Sequence, residues 1–181
     1  MAVCTQILID IFSVDTVINT GVAGSLNNIL EIGDIVLSRC AQQHDMDVSP
    51  LGDPVGIIPR MDESVFAADE TLVKLAKEAC EKANSDIICH VGKVVSGDQF
   101  IADGEKKQYL IDTFEGDCAE MEGAAMAQVA YLNHVPFLII RAISDKADNS
   151  GHMDYPTFAK QAITHTVALL KEMYTLLIER R

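Results

Sequence analysis

Apolar residues along the chain change period repeatedly, and the changes divide it into alternating helical and extended segments. Val3, Ile7, Leu8 and Ile11 recur at helical spacing and predict a helix over residues 3–12 that is already under way where the sequence begins. Residues 15–21, Asp-Thr-Val-Ile-Asn-Thr-Gly, then read as a strand ending at Gly21. Residues 33–38 read as a second strand behind the turn-rich stretch 24–28. From 48 to 63, Pro50, Gly52, Pro54, Gly56 and Pro59 interrupt the chain too often for a regular element, so this is a long loop suited to a lid or contact arm.

Leu72, Leu75, Ala76 and Ala79 predict a helix over about 71–83, and residues 87–95 a strand that ends at Ser96-Gly97-Asp98. A short helix over 104–114, a brief strand over 117–119 and a small-residue helix over 122–134 follow. Residues 137–145 form a core strand. The last helix, 156–179, opens with Pro156 in its first turn, and its stripe of Phe158, Ala162, Ile163, Leu169, Leu170, Met173, Leu176 and Leu177 is expected to face the core. Strands alternating with helices predict an α/β fold: a three-layer sandwich with a central mixed sheet flanked by helices. No domain boundary interrupts residues 1–181.

Composition narrows the function. A chain of 181 residues is one domain by size, and a net charge of −13 argues against a nucleic-acid partner, whose phosphates call for basic patches. No apolar run is long enough for a membrane span and the start has no signal-peptide pattern, which predicts a cytoplasmic protein acting on a small molecule. Cys4, Cys40, Cys80, Cys89 and Cys118 are odd in number, scattered and without C-x-x-C spacing, so they are expected to be buried free thiols.

Two segments carry candidate chemistry. Residues 137–145 deliver Arg141, Ser144 and Asp145 to the C-terminal end of a strand, where open α/β sheets place their ligands. Glu120 and Glu122 flank Met121 where a short strand enters a helix. Each has a plainer explanation: the Arg-x-x-Ser-Asp end as a helix cap or satisfied polar knot, the two glutamates as an acid pair at a helix N-terminus, and Phe100 as core. His44-Asp45-Met46-Asp47 lacks the further ligand cluster a metal site needs, and His90 within a strand reads as structural.

Four ordered segments together go beyond these explanations: Asn19-Thr20-Gly21-Val22-Ala23-Gly24, Val95-Ser96-Gly97-Asp98-Gln99-Phe100-Ile101, Ala119-Glu120-Met121-Glu122 and Arg141-Ala142-Ile143-Ser144-Asp145. At their compatible spacings, from Ala2 to the C-terminus, they resemble the 5′-methylthioadenosine/S-adenosylhomocysteine nucleosidases of the nucleoside phosphorylase superfamily. The resemblance implies hydrolysis of the N-glycosidic bond of 5′-thio-substituted adenosines through a ribosyl cation, in methionine salvage, with no cofactor and no metal. It casts Asp145 as the acid that protonates the leaving base and Glu122 as the holder of the ribose hydroxyls. Met121 would face the sugar, Phe100 would stack on adenine and the backbone of Ile101 would read its edge. Arg141, Ser144 and Glu120 would orient the acids. Ala23 and Gly24, expected at a tight turn with exposed amides, would handle the nucleophilic water, and Tyr155 would lie near the 5′-thio group, where the family can carry phenylalanine.

The resemblance further implies a homodimer in which Val48, Leu51 and Pro59 complete the neighbour's 5′ pocket. It also implies an earlier strand with a water-activating glutamate and a Gly-Lys turn. Neither stands in this sequence, so the expectation is an N-terminally incomplete domain that binds adenine and turns over weakly. One rival is a purine nucleoside phosphorylase, disfavoured because Asn19 stands where related phosphorylases carry a phosphate-binding arginine. The other is an adenosine-binding remnant without useful activity.

Overall fold

The computed structural model describes residues 1–147 and 155–179, with the side chains of 155–162 excluded. In chain order the elements are α1 (Ala2–Phe12), β1 (Val17–Ser25), β2 (Ile35–Gln43), β3 (Val65–Ala67), α2 (Glu70–Ala83), β4 (Cys89–Ser96), α3 (Gly104–Phe114), β5 (Cys118–Glu120), α4 (Gly123–Leu132), β6 (Phe137–Asp145) and α5 (Tyr155–Glu179). The mixed sheet flanked by helices is the one expected. Asp69 and Asp103 cap α2 and α3 by accepting main-chain N–H bonds of their first turns, which satisfies donors that the helix cannot pair internally.

The strand order is β3-β2-β4-β5-β1-β6, and β2 pairs again with β6. That second pairing, with Val36 opposite Arg141, closes β2, β4, β5, β1 and β6 into a ring and leaves β3 as an added antiparallel strand on β2. Alternation along β6 assigns its two faces. Ile139 and Ile143 pack with Ala124, Met126 and Ala127 of α4, whereas Leu138, Ile140 and Ala142 pack with α2 and α5. Every residue of β6 is buried, so it reads as a continuous apolar run broken only by the polar groups of the site. Arg141, in phase with Ile139 and Ile143, is thereby placed on the α4 side. Each large aliphatic side chain in these faces contributes about 1.5–3 kcal/mol on burial, a sizeable fraction of a net stability of about 5–15 kcal/mol.

Four expectations need correction. β1 does not end at Gly21 but runs to Ser25, because the parallel pairing with β6 continues past Gly21 and Arg141 to Ala23 and Ile143. β2 likewise extends to Gln43, carried by its pairing with β4. The loop predicted over 48–63 contains one short 3₁₀ turn, Ser49–Leu51, and the strand β3 just beyond it had no periodic signal, since three residues are too few to show one. Of the five thiols, all free, Cys4 is exposed and Cys89 half-buried, so only Cys40, Cys80 and Cys118 fit the buried expectation.

Candidate active site

The site begins with an irregularity in the sheet. Between β1 and β6 the register jumps: Ala23 faces Ile143, but Gly24 faces Asp145, which leaves Ser144 as an extra residue on β6. A bulge of this kind interrupts strict alternation and re-aims side chains. Ser144 and Asp145, adjacent in sequence, consequently both border one cavity. The Ser144 hydroxyl donates to Asp145 Oδ2 at 2.9 Å, and the Ala147 N–H donates to Oδ1 at 2.8 Å. Gly24 fits against this carboxylate because a Cβ there would lie 2.8 Å from Asp145 Oδ1.

The expectation of Ala23 and Gly24 at a tight turn with exposed amides is therefore overturned. Both lie inside β1, and Gly24 is paired with Ala119 on one side and Asp145 on the other. Strand pairing on both edges has claimed this backbone. The two residues nevertheless form part of the cavity wall.

A second polar group sits beneath the start of α4. Arg141, 1% exposed, donates through Nε and Nη2 to Glu120 Oε2 and through Nη2 to Asn19 Oδ1. Glu120 also accepts from the Ser96 hydroxyl and from the main-chain N–H groups of Glu122 at 3.1 Å and Gly123 at 2.8 Å. Ser96 Oγ in turn accepts the Ala124 N–H at 2.7 Å. The first free donors of α4 are thus satisfied from β4 and β5, with the negative carboxylate at the positive end of the helix. Buried charges persist only when paired and hydrogen-bonded, and this ion pair is both. Glu120 fits the plainer reading of a helix N-terminal acid as well as the orienting one.

Because Glu120 caps α4, the next glutamate is left free of that task. Glu122 precedes the helix with no side-chain capping bond, its side chain is 49% exposed, and its Oε2 lies 3.7 Å from Arg141 Nη2. Met121 and Glu122 after β5, Gln99, Phe100 and Ile101 after the neighbouring β4, and Ser144 and Asp145 at the end of β6 all border the cavity. Its volume is about 440 Å³, within the range of small-molecule sites. Ile101 is packed into a cluster with Leu110 and Phe114 of α3, while Phe100 is 66% exposed and free to meet a ligand face.

The structure brings Asp145, Ser144, Glu120, Met121, Glu122, Phe100, Ile101, Ala23 and Gly24 to one cavity, with Arg141 behind them. It does not bring Val48, Leu51 and Pro59 there. They lie on the loop after β2, where Leu51 is 84% exposed. The side chain of Tyr155 lies outside the described residues. Ser96 and Asn19 were missed as functional partners, although both stand in the quoted motifs; strand register sets Ser96 opposite Glu120, and Asn19, two residues before the Gly21 that pairs with Arg141, reaches the guanidinium through its side chain. Among the described residues, no three His, Cys, Asp or Glu side chains are grouped closely enough to hold a metal ion. No described helix is long and apolar enough to cross a membrane.

Comparison with known proteins matches residues 1–175 to the phosphorylase superfamily. The chain is 38% identical over 173 residues to the 5′-methylthioadenosine/S-adenosylhomocysteine nucleosidase of Staphylococcus carnosus, an alignment covering 95% of this chain and 75% of that protein. Among solved structures it resembles the nucleosidase of Neisseria meningitidis in complex with methylthio-immucillin-A, with a TM-score of 0.89, 35% identity, and coverage of 96% of this chain and 74% of that one. It is similar at the same TM-score to the futalosine hydrolase of Helicobacter pylori, with 34% identity and coverage of 96% and 73%.

Proposed function

The chain belongs to the phosphorylase superfamily, among the 5′-methylthioadenosine/S-adenosylhomocysteine nucleosidases, and from that premise we propose that it hydrolyses the N-glycosidic bond of these two nucleosides to adenine and a thioribose. The observation that carries this is the bulge that turns Ser144 and Asp145 together into a cavity that Glu122 also borders. Asp145 gives a proton to the purine N7 as the bond from C1′ to N9 breaks and its electron pair passes into the base, a contribution of about 10²–10⁴-fold for general acid catalysis. Water then adds to C1′ and passes a proton to solvent, and Asp145, left as a carboxylate, takes one back, so that water is the only co-reactant. Glu122 accepts from the ribose 2′- and 3′-hydroxyls and lies close to the positive charge growing on the sugar. Met121 packs on the sugar face, Phe100 stacks on adenine, and Ile101 reads the base edge through its backbone.

Water rather than phosphate is the nucleophile. No Lys or Arg is among the described residues bordering the cavity, and Arg141 is already engaged by Glu120 and Asn19. A phosphate dianion would need a cation free to receive it. Ala23 and Gly24 serve as a close-fitting wall on the water's side of the cavity.

Residues 1–181 act as one domain, and two copies associate. The exposed, apolar Leu51, with Val48 and Pro59, covers the 5′ end of the neighbour's cavity, where an alkylthio group is buried at about 25 cal/mol per Å². The protein works in the cytoplasm, in keeping with its five free thiols. Adenine release from methylthioadenosine in phosphate-free buffer tests the activity, and Asp145→Asn should lower the rate at least about 100-fold. Strict dependence on phosphate would instead mark a phosphorylase, and a variant within a few-fold of the parent would remove Asp145 from the acid role. Solution mass tests the dimer.

A further inference from the structure

The segment bearing Phe100 and Ile101 is an irregular stretch between β4 and α3, yet its course is determined by two residues that do not border the cavity. His44, one residue past the end of β2, donates its main-chain N–H to the Ser96 carbonyl at 2.8 Å. Asp45 accepts the Asp98 N–H on Oδ2 at 2.8 Å. The Gly97 N–H donates to the Glu120 carbonyl at 3.1 Å, tying the turn to the strand of the buried ion pair, and the Gln99 N–H closes back on the Gly97 carbonyl at 2.7 Å. The His44 ring, 2% exposed, lies edge-on to Phe114 at 6.5 Å between centroids and presses on Gly97, where a Cβ would lie 2.6 Å from Nε2.

Neither nitrogen of that ring has a hydrogen-bond partner among the described residues. The imidazole therefore acts through its shape, as a flat body wedged between Phe114 and the Gly97 backbone. Its closeness leaves no room for a side chain at residue 97. Phe114 belongs to the same apolar cluster as Ile101, so the wedge and the residue it supports share one packing unit.

We infer that His44 and Asp45 are positioning residues for the purine end of the site, holding the turn at 96–99 from outside the cavity so that Phe100 and Ile101 face the base. The inference rests on the reading that the cavity wall at 99–101 receives adenine. Neither residue touches substrate; each acts through the backbone of the turn.

Titration of the parent and variants with free adenine, together with steady-state kinetics on methylthioadenosine, tests the inference. Asp45 is exposed, so Asp45→Ala should fold; it is expected to weaken adenine binding about tenfold and raise KM similarly with little change in kcat, the size of loss expected for one charge-assisted hydrogen bond. Asp45→Asn, which keeps an acceptor oxygen in place, should restore most of the affinity. His44→Ala should reproduce the loss, and His44→Phe, which keeps a flat ring, should largely avoid it. A merely structural role would lower Tm or the active fraction and leave adenine affinity per active site unchanged. Parent-like affinity in Asp45→Ala, or equal losses in His44→Ala and His44→Phe, overturns the inference alone. Failure of the parent to bind adenine overturns the purine assignment itself and the inference with it.

Discussion

The two walls of the cavity are built on opposite principles. On the β5 and α4 side, Glu120, Arg141, Ser96 and Asn19 form a buried group in which the charges are paired and the helix donors are satisfied. Residues 97–101, by contrast, follow a turn that carries the exposed Phe100 ring beside the buried Ile101. The difference teaches where precision is needed. A carboxylate that must meet developing charge has to be placed before the substrate arrives, and a rigid, satisfied network does that. A wall that meets the face of a base needs only a plane at the right height, and it must leave the ligand a way in.

The comparison is broken most directly at its rigid side. Glu120→Gln leaves the buried Arg141 only the half-exposed Glu122, 3.7 Å away, as a counter-charge, and loss of about 3 kcal/mol of stability is expected, read as a lower denaturation midpoint with an unchanged slope. A loss below about 1 kcal/mol would mean that water already compensates the arginine.

Glu122→Gln should separate chemistry from stability. Its side chain is half exposed and caps nothing, so the denaturation midpoint should hold while binding of a ribosyl-cation mimic weakens about 100-fold and binding of free adenine does not. Equal losses for both ligands would assign Glu122 a structural role.

On the open side, Phe100→Ala should weaken adenine about tenfold, the worth of one base stacked on an aromatic ring, and shift stability by no more than about 0.5 kcal/mol. A large stability loss would show that Phe100 is part of the core and that the two walls are more alike than they look.

The smallest effect concerns His44. Burial holds its pKa below the ordinary value of 6.5. Between the folded value and 6.5 the unfolded chain therefore binds more protons, so the stability contribution is full above about pH 6.5 and declines as pH falls through that window toward the folded value. His44→Phe should flatten this part of the acid limb of a stability-versus-pH curve. An unchanged slope would mean that the ring becomes protonated within the fold.

Much of the architecture was readable from local pattern. The span Gly104–Phe114 and the strand Phe137–Asp145 match their predicted limits, because a cap aspartate and a continuous apolar run are local signals. Gly21 misled, since a glycine ends a strand only where nothing pairs beyond it, and β6 does pair beyond it. Asp145, Glu122 and Phe100 could be named as candidates because their motifs occur in order, and the fold brings all three to one cavity. Asn19, Ser96 and His44 could not be assigned roles, because each acts on a residue distant in sequence and only strand register or a turn brings the two together.

The order of the longer elements was determined by the sequence itself, through periodicity and capping residues, and motif order singled out the candidate side chains; β3 and the exposure of Ile163 and Leu177 on α5 were not legible there. Closure of the ring between β2 and β6, the burial of Arg141 on the α4 face and the bulge that aims two consecutive residues into one cavity were decided only by tertiary structure. The physical reason is that alternation along a strand says which residues share a face, but not which neighbour that face meets. A register shift of one residue reverses the assignment, and the energy that selects the register comes from packing and hydrogen bonds to partners far along the chain.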